Sequence, residues 1–401
     1  MPNETLTAAG FLAGSAAAGI KPSGVLDVGV IVSDAPCAAA AVFTSNRFCG
    51  APVTVGREHV RSGRLRGFVV NSGVSNVATG KRGLTDARAM CARLAAGVGG
   101  KATGFLPAST GLIGSFLPMD KVLSGIDAAV ASLSTSARAG HAFARAIMTT
   151  DLKPKEAFRR IRIGRRDVVI AGCCKGSGMI APNMATMLAF LGTDATVTPS
   201  VLRRALREAV NGSFNRVTVD ECESTSDTVA ILANGRSGAG PIKSAASTAY
   251  RRFAAALGEV CYELAYKIAA DGEGAERVIE VSVRHAASPD DAHEVARAVA
   301  VSPLCRTAVH GGDPNWGRIV QAIGTTRAEF DPDRIVVTIC GETVFRRGRP
   351  VEGADLAKVS RRMRAAHVPV EIDLKAGRSA GRVLTCDLTK GYITINADYH
   401  T

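Results

Sequence analysis

The chain has 401 residues, of which 46% are hydrophobic and 21% charged, and it carries a formal net charge of +13. This much apolar material supports a real core and one large domain or two to three ordinary ones, while the absence of any run of about 18 apolar residues argues against a membrane-spanning helix. The ten cysteines are scattered and form no CxxC pair, which argues against a disulfide framework and suits reduced thiols packed as small hydrophobes in a cytoplasmic protein.

The first twenty residues have an apolar centre, but Glu4 and the lack of any Lys or Arg before Lys21 deny them the basic start of a secretory signal. Alternating or continuous apolar runs then predict strands at 28–33, 67–71, 167–172, 187–192, 216–220, 228–234, 278–283, 334–339 and 370–374. Helical periodicity falls at 85–97, 120–134, 138–148, 199–211, 246–270, 290–300, 316–324 and 353–366. In the longest of these, Tyr250, Phe253, Leu257, Val260, Leu264 and Ile268 recur close to every 3.6 residues. Ser288 and Pro289 form the expected start of the helix at 290–300, a cap followed by a first-turn proline. Strands and helices mix without strict βαβ alternation. The pattern predicts an α+β chain or a layered α/β sandwich, mixed sheets flanked by helices. TTRAEFDPD at 325–333 is the expected boundary of a smaller C-terminal α/β subdomain.

The positive charge raises nucleic acid as a partner. However, the basic runs at 159–166, 346–349 and 361–364 are dispersed, aromatic residues are only 5%, and no nucleic-acid motif accompanies them. A solvated arginine-rich surface is the simpler reading; positive potential that draws in small carboxylates is the functional one. Histidines do not cluster at metal spacing, and HEVAR at 293–297 ends in Arg where a zinc motif needs His, so no metal is expected.

Residues 175–187, KGSGMIAPNMATM, set a lysine and a glycine-rich turn before an apolar strand. A phosphate loop is excluded by order, because its lysine follows the glycines. Two readings remain. One is a plain connecting turn, with the glycines serving left-handed backbone. In the other, Thr186 is a nucleophile. A threonine at a chain start carries its own base, the α-amino group, and cutting the Ala185–Thr186 bond by an N-to-O acyl shift would create that start.

Here the sequence resembles the ornithine acetyltransferases, or glutamate N-acetyltransferases. KGSGMIAPNMATMLAF is similar to the family's self-cleavage segment. FTSNRFCGAPV (43–53), ASTGLIG (108–114), IMTTDLKPK (147–155), SFNRVTVD (213–220), STSDTVAILANG (224–235), DGEGA (271–275), GGDPNWGR (311–318) and the ending GYITINADYHT follow in the family's order. The resemblance covers nearly the whole chain and implies a fold of the N-terminal-threonine nucleophile type. It also implies cleavage between Ala185 and Thr186 into pieces 1–185 and 186–401. Thr186 would then carry acetyl from N2-acetylornithine to glutamate in ping-pong fashion, with no cofactor.

Site residues carry over one at a time. Thr110 and Gly111 match the oxyanion hole, while Thr149, Lys175, Glu273, Asn396 and Thr401 match substrate contacts, alongside Thr186 itself. Without the resemblance, Ser109-Thr110-Gly111 reads as a polar turn after Pro107, Glu273 as a turn carboxylate, and Asn396 and Thr401 as a frayed end. Trp316 reads as the anchor of a helix start and His310 as a hydrogen-bonded structural histidine. The resemblance implies two copies of each piece, and acetyl-CoA as a donor only in some members.

Departures occur at NSGVSNVATG (71–80), at Cys173-Cys174, at DECESTSD (220–227) and at Arg306. They leave open a paralogue with another amino-acid donor or acceptor. An N-terminal-nucleophile hydrolase or aminopeptidase, or a non-catalytic binder using the basic surface, stands as an alternative.

Overall fold

The structure, a computed structural model, describes residues 8–22, 24–181 and 187–398. The chain divides into two compact units. The first holds the described residues through Asn215 and Cys222–Leu264; the second holds Arg216–Glu221 and the residues from Ala265 onward.

In the first unit the elements run β1 (Phe11–Ala16), β2 (Val28–Phe43), α1 (Ala51–His59), β3 (Arg64–Val74), α2 (Gly80–Val98), β4 (Phe105–Leu112), α3 (Met119–Ala131), α4 (Ala137–Ala146), β5 (Lys155–Ile163), β6 (Arg166–Lys175), β7 (Leu188–Thr193), α5 (Pro199–Asn211) and β8 (Thr228–Ala233). Helix α6 (Thr248–Ala270) contains the division between the units. The strands form one mixed sheet in the order β4-β3-β2-β8-β7-β6-β5, with β1 also on β2. The β3–β4 and β7–β8 pairs are parallel and the remaining pairs antiparallel. Strand alternation distributes the side chains. Val28, Val30, Val32 and Val69 pack with Met90 and Leu94 of α2 and Val122 and Ile126 of α3. The intervening Ile31, Phe68 and Val70 pack with Phe143 and Ile147 on the other face.

The second unit continues with β9 (Val278–Ala286), α7 (Pro289–Val301), α8 (Pro303–Gly311), α9 (Trp316–Ile323), β10 (Val336–Ile339), β11 (Glu342–Arg346), β12 (Arg349–Pro350), α10 (Leu356–Arg362), β13 (His367–Asp373), β14 (Ser379–Cys386) and α11 (Lys390–Asp398). Its sheet runs β12-β11-β10-β13-β9-β14, with β9 and β13 parallel. The core joins Val281 and Val370 of the sheet to Val295 and Val299 of α7 and Ile323 of α9. Ser288 caps α7 by accepting from Asp291 N–H, with Pro289 in its first turn. Asn315 caps α9, and Trp316 stacks on Phe345 at 5.3 Å between ring centroids. Two mixed sheets flanked by helices thus give the α/β architecture expected.

Several local expectations change. The chain divides at 264/265 and not at 325–333, because that loop joins α9 to β10 inside one core. Residues 216–220 are not a strand: Arg216 ends a short 3-10 turn, Val217 makes one bridge to Leu384, and Glu221 turns left-handed at φ 57°. Strand β5 was hidden by its arginines. It is the last strand of its sheet, where charged side chains blunt an open edge, and Arg159 on it pairs with Glu259 and Glu263. Helix α1, with Pro52 in its first turn, arises where no helix was expected.

Candidate active site

Thr110 and Gly111 lie on strand β4 and not in a turn. Pro107 belongs to the same strand, which closes one end of the sheet order and so tolerates a residue without an N–H. Opposite, in parallel register, run Ser72 and Gly73 of β3, and the register slips at Gly73/Val74. The two glycines make the slip feasible. Gly111 has φ 126°, and a Cβ there would fall 2.3 Å from the Gly73 carbonyl carbon. Such slips bend a strand and re-aim its side chains. Beneath them, Ser109 donates to Asn71 Oδ1 at 2.5 Å, and Asn71 Nδ2 donates to Val74 O. The 71–80 segment, altered in sequence, therefore supports the Thr110–Gly111 end of β4 through buried hydrogen bonds.

Lys175 is the last residue of β6 and is 3% exposed, as is Thr110. Its ammonium donates to Thr110 Oγ1 at 3.2 Å. Lys175 also pairs with Leu188 across the β6–β7 ladder. The connection 176–187 therefore leaves the sheet and returns to one place, where antiparallel partners stand about 5 Å apart. Met179 in it is left-handed at φ 56°, an uncommon conformation for a residue with a side chain. Ala185 and Thr186 fall in this connection but outside the described residues.

Asp151 ties the remaining parts together. Its Oδ1 accepts from Lys155 Nζ at 2.6 Å and from Gly176 N–H at 2.7 Å, and its Oδ2 accepts from Thr149 N–H at 3.1 Å. One carboxylate thus fixes Thr149 and the residue after Lys175. Burial alone would raise its pKa, but the Lys155 and Lys175 ammoniums and the Gly176 N–H outweigh that and hold it at about 2. Nearby, Lys21 donates to Met148 O, and burial lowers its pKa despite the attraction of Asp27 and Asp151. A fourth group, Asp227, accepts from Met187 N–H at 2.7 Å, one residue past Thr186.

In the second unit, Asn396 on α11 donates to Glu273 Oε2 at 2.9 Å. The turn carrying Glu273 is held close to α11: Thr389 donates to Gly274 O, and a Cβ on Gly274 would lie 2.3 Å from Tyr392 N. Asn396 is thus part of a docked helix, not a frayed end. Thr401 lies outside the described residues. Arg306 is structural, donating through Nε to Cys386 O at 2.7 Å. His310 is hydrogen-bonded as expected, to Asp387 Oδ2 at 3.2 Å.

Among the described residues, Glu276, His310 and Asp387 bring possible metal-ligand atoms within 4.8 Å of one another. Asp387 already accepts from the Glu276 and Arg277 N–H groups, and the Arg277 guanidinium contacts its Oδ2 at 3.2 Å. That guanidinium supplies the positive charge a cation would bring. Cys173 and Cys174 are buried, with the Cys174 thiol donating to Leu264 O, so this departure from the family pattern is a packing change. No helix of the described residues is long and apolar enough to cross a membrane.

Asp151, Lys155 and Asp227 had no assigned role in the sequence. The signal available was, for Asp227, a charged residue directly before the apolar strand β8; Lys155 opens β5, whose arginines gave no such signal.

The arrangement combines a positioned hydroxyl, a lysine and a connection that carries a candidate nucleophile. A family model described as the ArgJ family matches residues 12–401. The chain belongs to the ArgJ family. An arginine biosynthesis bifunctional protein ArgJ of Symbiobacterium thermophilum is 47% identical over 98% of this chain and 97% of its own. Another, from Methylococcus capsulatus, is 45% identical over 98% of this chain and 96% of its own. A crystal structure of the Bacillus halodurans ArgJ superposes with a TM-score of 0.52 at 36% identity, covering 53% of this chain and all of that one. Membership in the ArgJ family makes the chain an acyltransferase.

Proposed function

We propose that this ArgJ-family chain cuts itself before Thr186 and then moves acetyl from N2-acetylornithine to glutamate. The observation that carries the reading is the contact between Lys175 and Thr110, formed where β6 gives way to the connection holding Thr186. A hydroxyl oxygen that accepts from an ammonium must turn its own hydrogen elsewhere. Lys175 thereby leaves the Thr110 O–H available to a developing oxyanion, beside Gly111 N–H. The length of the solved relative agrees with a divided chain, since all of it is covered by 53% of this one.

In cleavage, the Thr186 hydroxyl attacks the Ala185 carbonyl, the peptide nitrogen leaves as the new α-amine, and water releases Ala185 from the ester. In transfer, the same hydroxyl attacks the acetyl carbon of N2-acetylornithine while the α-amine takes its proton. An α-amine with a pKa near 8 is partly free base at neutral pH. The proton passes to the departing ornithine nitrogen, and an acetyl ester remains on Thr186. Glutamate's amine then attacks that ester, and the threonine hydroxyl is restored. Thr110 and Gly111 stabilise both tetrahedral intermediates; losing one such donor typically costs about 3–4 kcal/mol of barrier. Thr149, Lys175, Glu273, Asn396 and Thr401 bind the amino-acid parts, Lys175 suiting a carboxylate and Glu273 an ammonium. The acetyl travels on the protein itself, so no cofactor enters, and two copies of each piece assemble in the cytoplasm.

Intact mass and N-terminal sequencing test the first step: the expected result is a piece beginning at Thr186, and a single uncut chain overturns the reading. Incubation with N2-acetylornithine and glutamate tests the second. N-acetylglutamate is expected; free acetate formed equally well without glutamate means a hydrolase instead. Thr186→Ala is expected to abolish cleavage and transfer together.

A further inference from the structure

One lysine of the first unit has no part in the chemistry above. The backbone at Lys21 is fixed by Asp27, which is 0% exposed. One oxygen of that carboxylate accepts from Ala18 N–H at 2.7 Å, and the other accepts from Ile20 N–H at 2.7 Å and Lys21 N–H at 3.1 Å. Asp27 O accepts from Ser72 N–H at 2.8 Å, so the segment carrying Lys21 is tied to the end of β3. There the lysine stem lies across Gly73: a Cβ built on Gly73 would stand 3.1 Å from Lys21 Cγ. Gly73 is the register partner of Gly111. At the far end of the side chain, Nζ donates to Met148 O at 3.1 Å, one residue before Thr149. The stem thus passes over the Gly73–Gly111 pair, and the ammonium ends beside Thr149.

Two features set Lys21 apart from Lys155 and Lys175. Those two are buried, whereas Lys21 is half-buried, as are Gly73, Gly111, Met148 and Thr149 around it. Lys155 is paired with Asp151 at 2.6 Å. Lys21 forms no ion pair among the described residues. Burial lowers its pKa, Asp27 and Asp151 oppose that through their field alone, and the Lys175 charge lowers it further. An ammonium has three N–H groups, and Met148 O takes one of them. Lys21 therefore brings a charge and spare donors to a half-open place beside the oxyanion pair.

The proposed transfer gives those donors a use. Its donor ends in a side-chain ammonium and its acceptor in a side-chain carboxylate, while both carry an α-carboxylate. One counter-charge cannot serve both side chains, because the group that attracts the carboxylate repels the ammonium. Lys175 suits the shared α-carboxylate and Glu273 the donor's ammonium, which leaves the acceptor's second carboxylate without a partner. We propose that Lys21 is that partner: its ammonium binds the side-chain carboxylate of glutamate and makes the site selective for a dicarboxylic acceptor. This rests on the proposed acetyl transfer to glutamate. A carboxylate at Lys21 also offsets the repulsion between the Lys21 and Lys175 ammoniums.

Lys21→Met keeps the length of the stem and removes the charge. Glutamine tests the same point from the ligand's side, since it replaces the side-chain carboxylate with a neutral amide of the same shape. With N2-acetylornithine as donor, the parent should prefer glutamate to glutamine as acceptor. The variant should lose about 10–100-fold of that preference in kcat/KM, mostly through a higher KM for glutamate. Lys21→Arg, which keeps the charge, should recover part of it. A purely structural lysine would weaken both acceptors alike, so an equal loss for the two, or an unchanged preference, overturns the role of Lys21 while leaving the transfer reading intact. A parent chain that makes no N-acetylglutamate overturns the transfer reading first, and the role of Lys21 with it. If Lys21→Met does not fold, the parent enzyme still decides. Reductive methylation of Lys21, followed by mass spectrometry, should be slowed several fold by glutamate and not by glutamine, and equal rates with the two overturn the proposal.

Discussion

Asp151 and Asp227 are both buried carboxyls of the first unit, and they are pushed in opposite directions. Burial disfavours the charge of each. Asp151 answers it with two N–H groups, the Lys155 ammonium and the field of Lys175. Asp227 has the Met187 N–H and one oxygen left over. The number of donors around a buried acid, and not its depth, decides whether it is a fixed anchor or a group whose charge depends on what comes next to it. Lys175 touches both settings. It favours the charge of each acid and donates to Thr110, so Asp151, the Thr110 hydroxyl and Asp227 all feel one ammonium.

Breaking the anchor should have the largest effect. Asp151→Ala strips Lys155 of its buried partner and frees Thr149 and Gly176, and it is expected to destabilise the protein by about 3–5 kcal/mol in denaturant unfolding. A loss below about 1 kcal/mol would mean the network holds nothing. Next comes the Thr110 hydroxyl, the proposed oxyanion donor. Thr110→Val should lower kcat/KM by about 10²–10³ with stability nearly kept, and activity within a few fold of the parent would remove Thr110 from the site.

Acid sharpens the contrast with a smaller effect. Asp151 titrates lower in the folded chain than in the unfolded one, so its contribution is fully present above the ordinary carboxylate pKa and disappears as pH falls towards 2. About 2–3 kcal/mol should be lost over that window, and Asp151→Asn should remove that part of the pH dependence. Asp227 has the opposite sign: its penalty grows as pH rises above the ordinary carboxylate range. The smallest effect is expected at Asn396, whose exposed bond to Glu273 is worth about 1 kcal/mol at most. Asn396→Ala should raise KM several fold and leave the melting temperature within about two degrees.

The ordered motifs and the start of α7 were legible because they depend on neighbours in the chain. Ser288 and Pro289 stop and start backbone locally, and the 3.6-residue stripe of α6 is a one-dimensional pattern. Strand β4 was not. Its Pro107 and polar ASTG tip argue for a turn, and only the parallel pairing with β3 makes them a strand. The connection 176–187 was legible as glycine-rich and odd, but not as a loop whose ends are clamped by Lys175 opposite Leu188.

The amino-acid order by itself determined the family resemblance, the candidate nucleophile at Thr186 and most of the helices, because periodicity, caps and motif spacing are local. Tertiary structure alone decided that Lys175 reaches Thr110, that Asp151 holds Gly176, and that Asp227 stands at Met187. These contacts join residues 25 to 65 positions apart. Their strength comes from removal from water, which the chain acquires only when the sheet is complete.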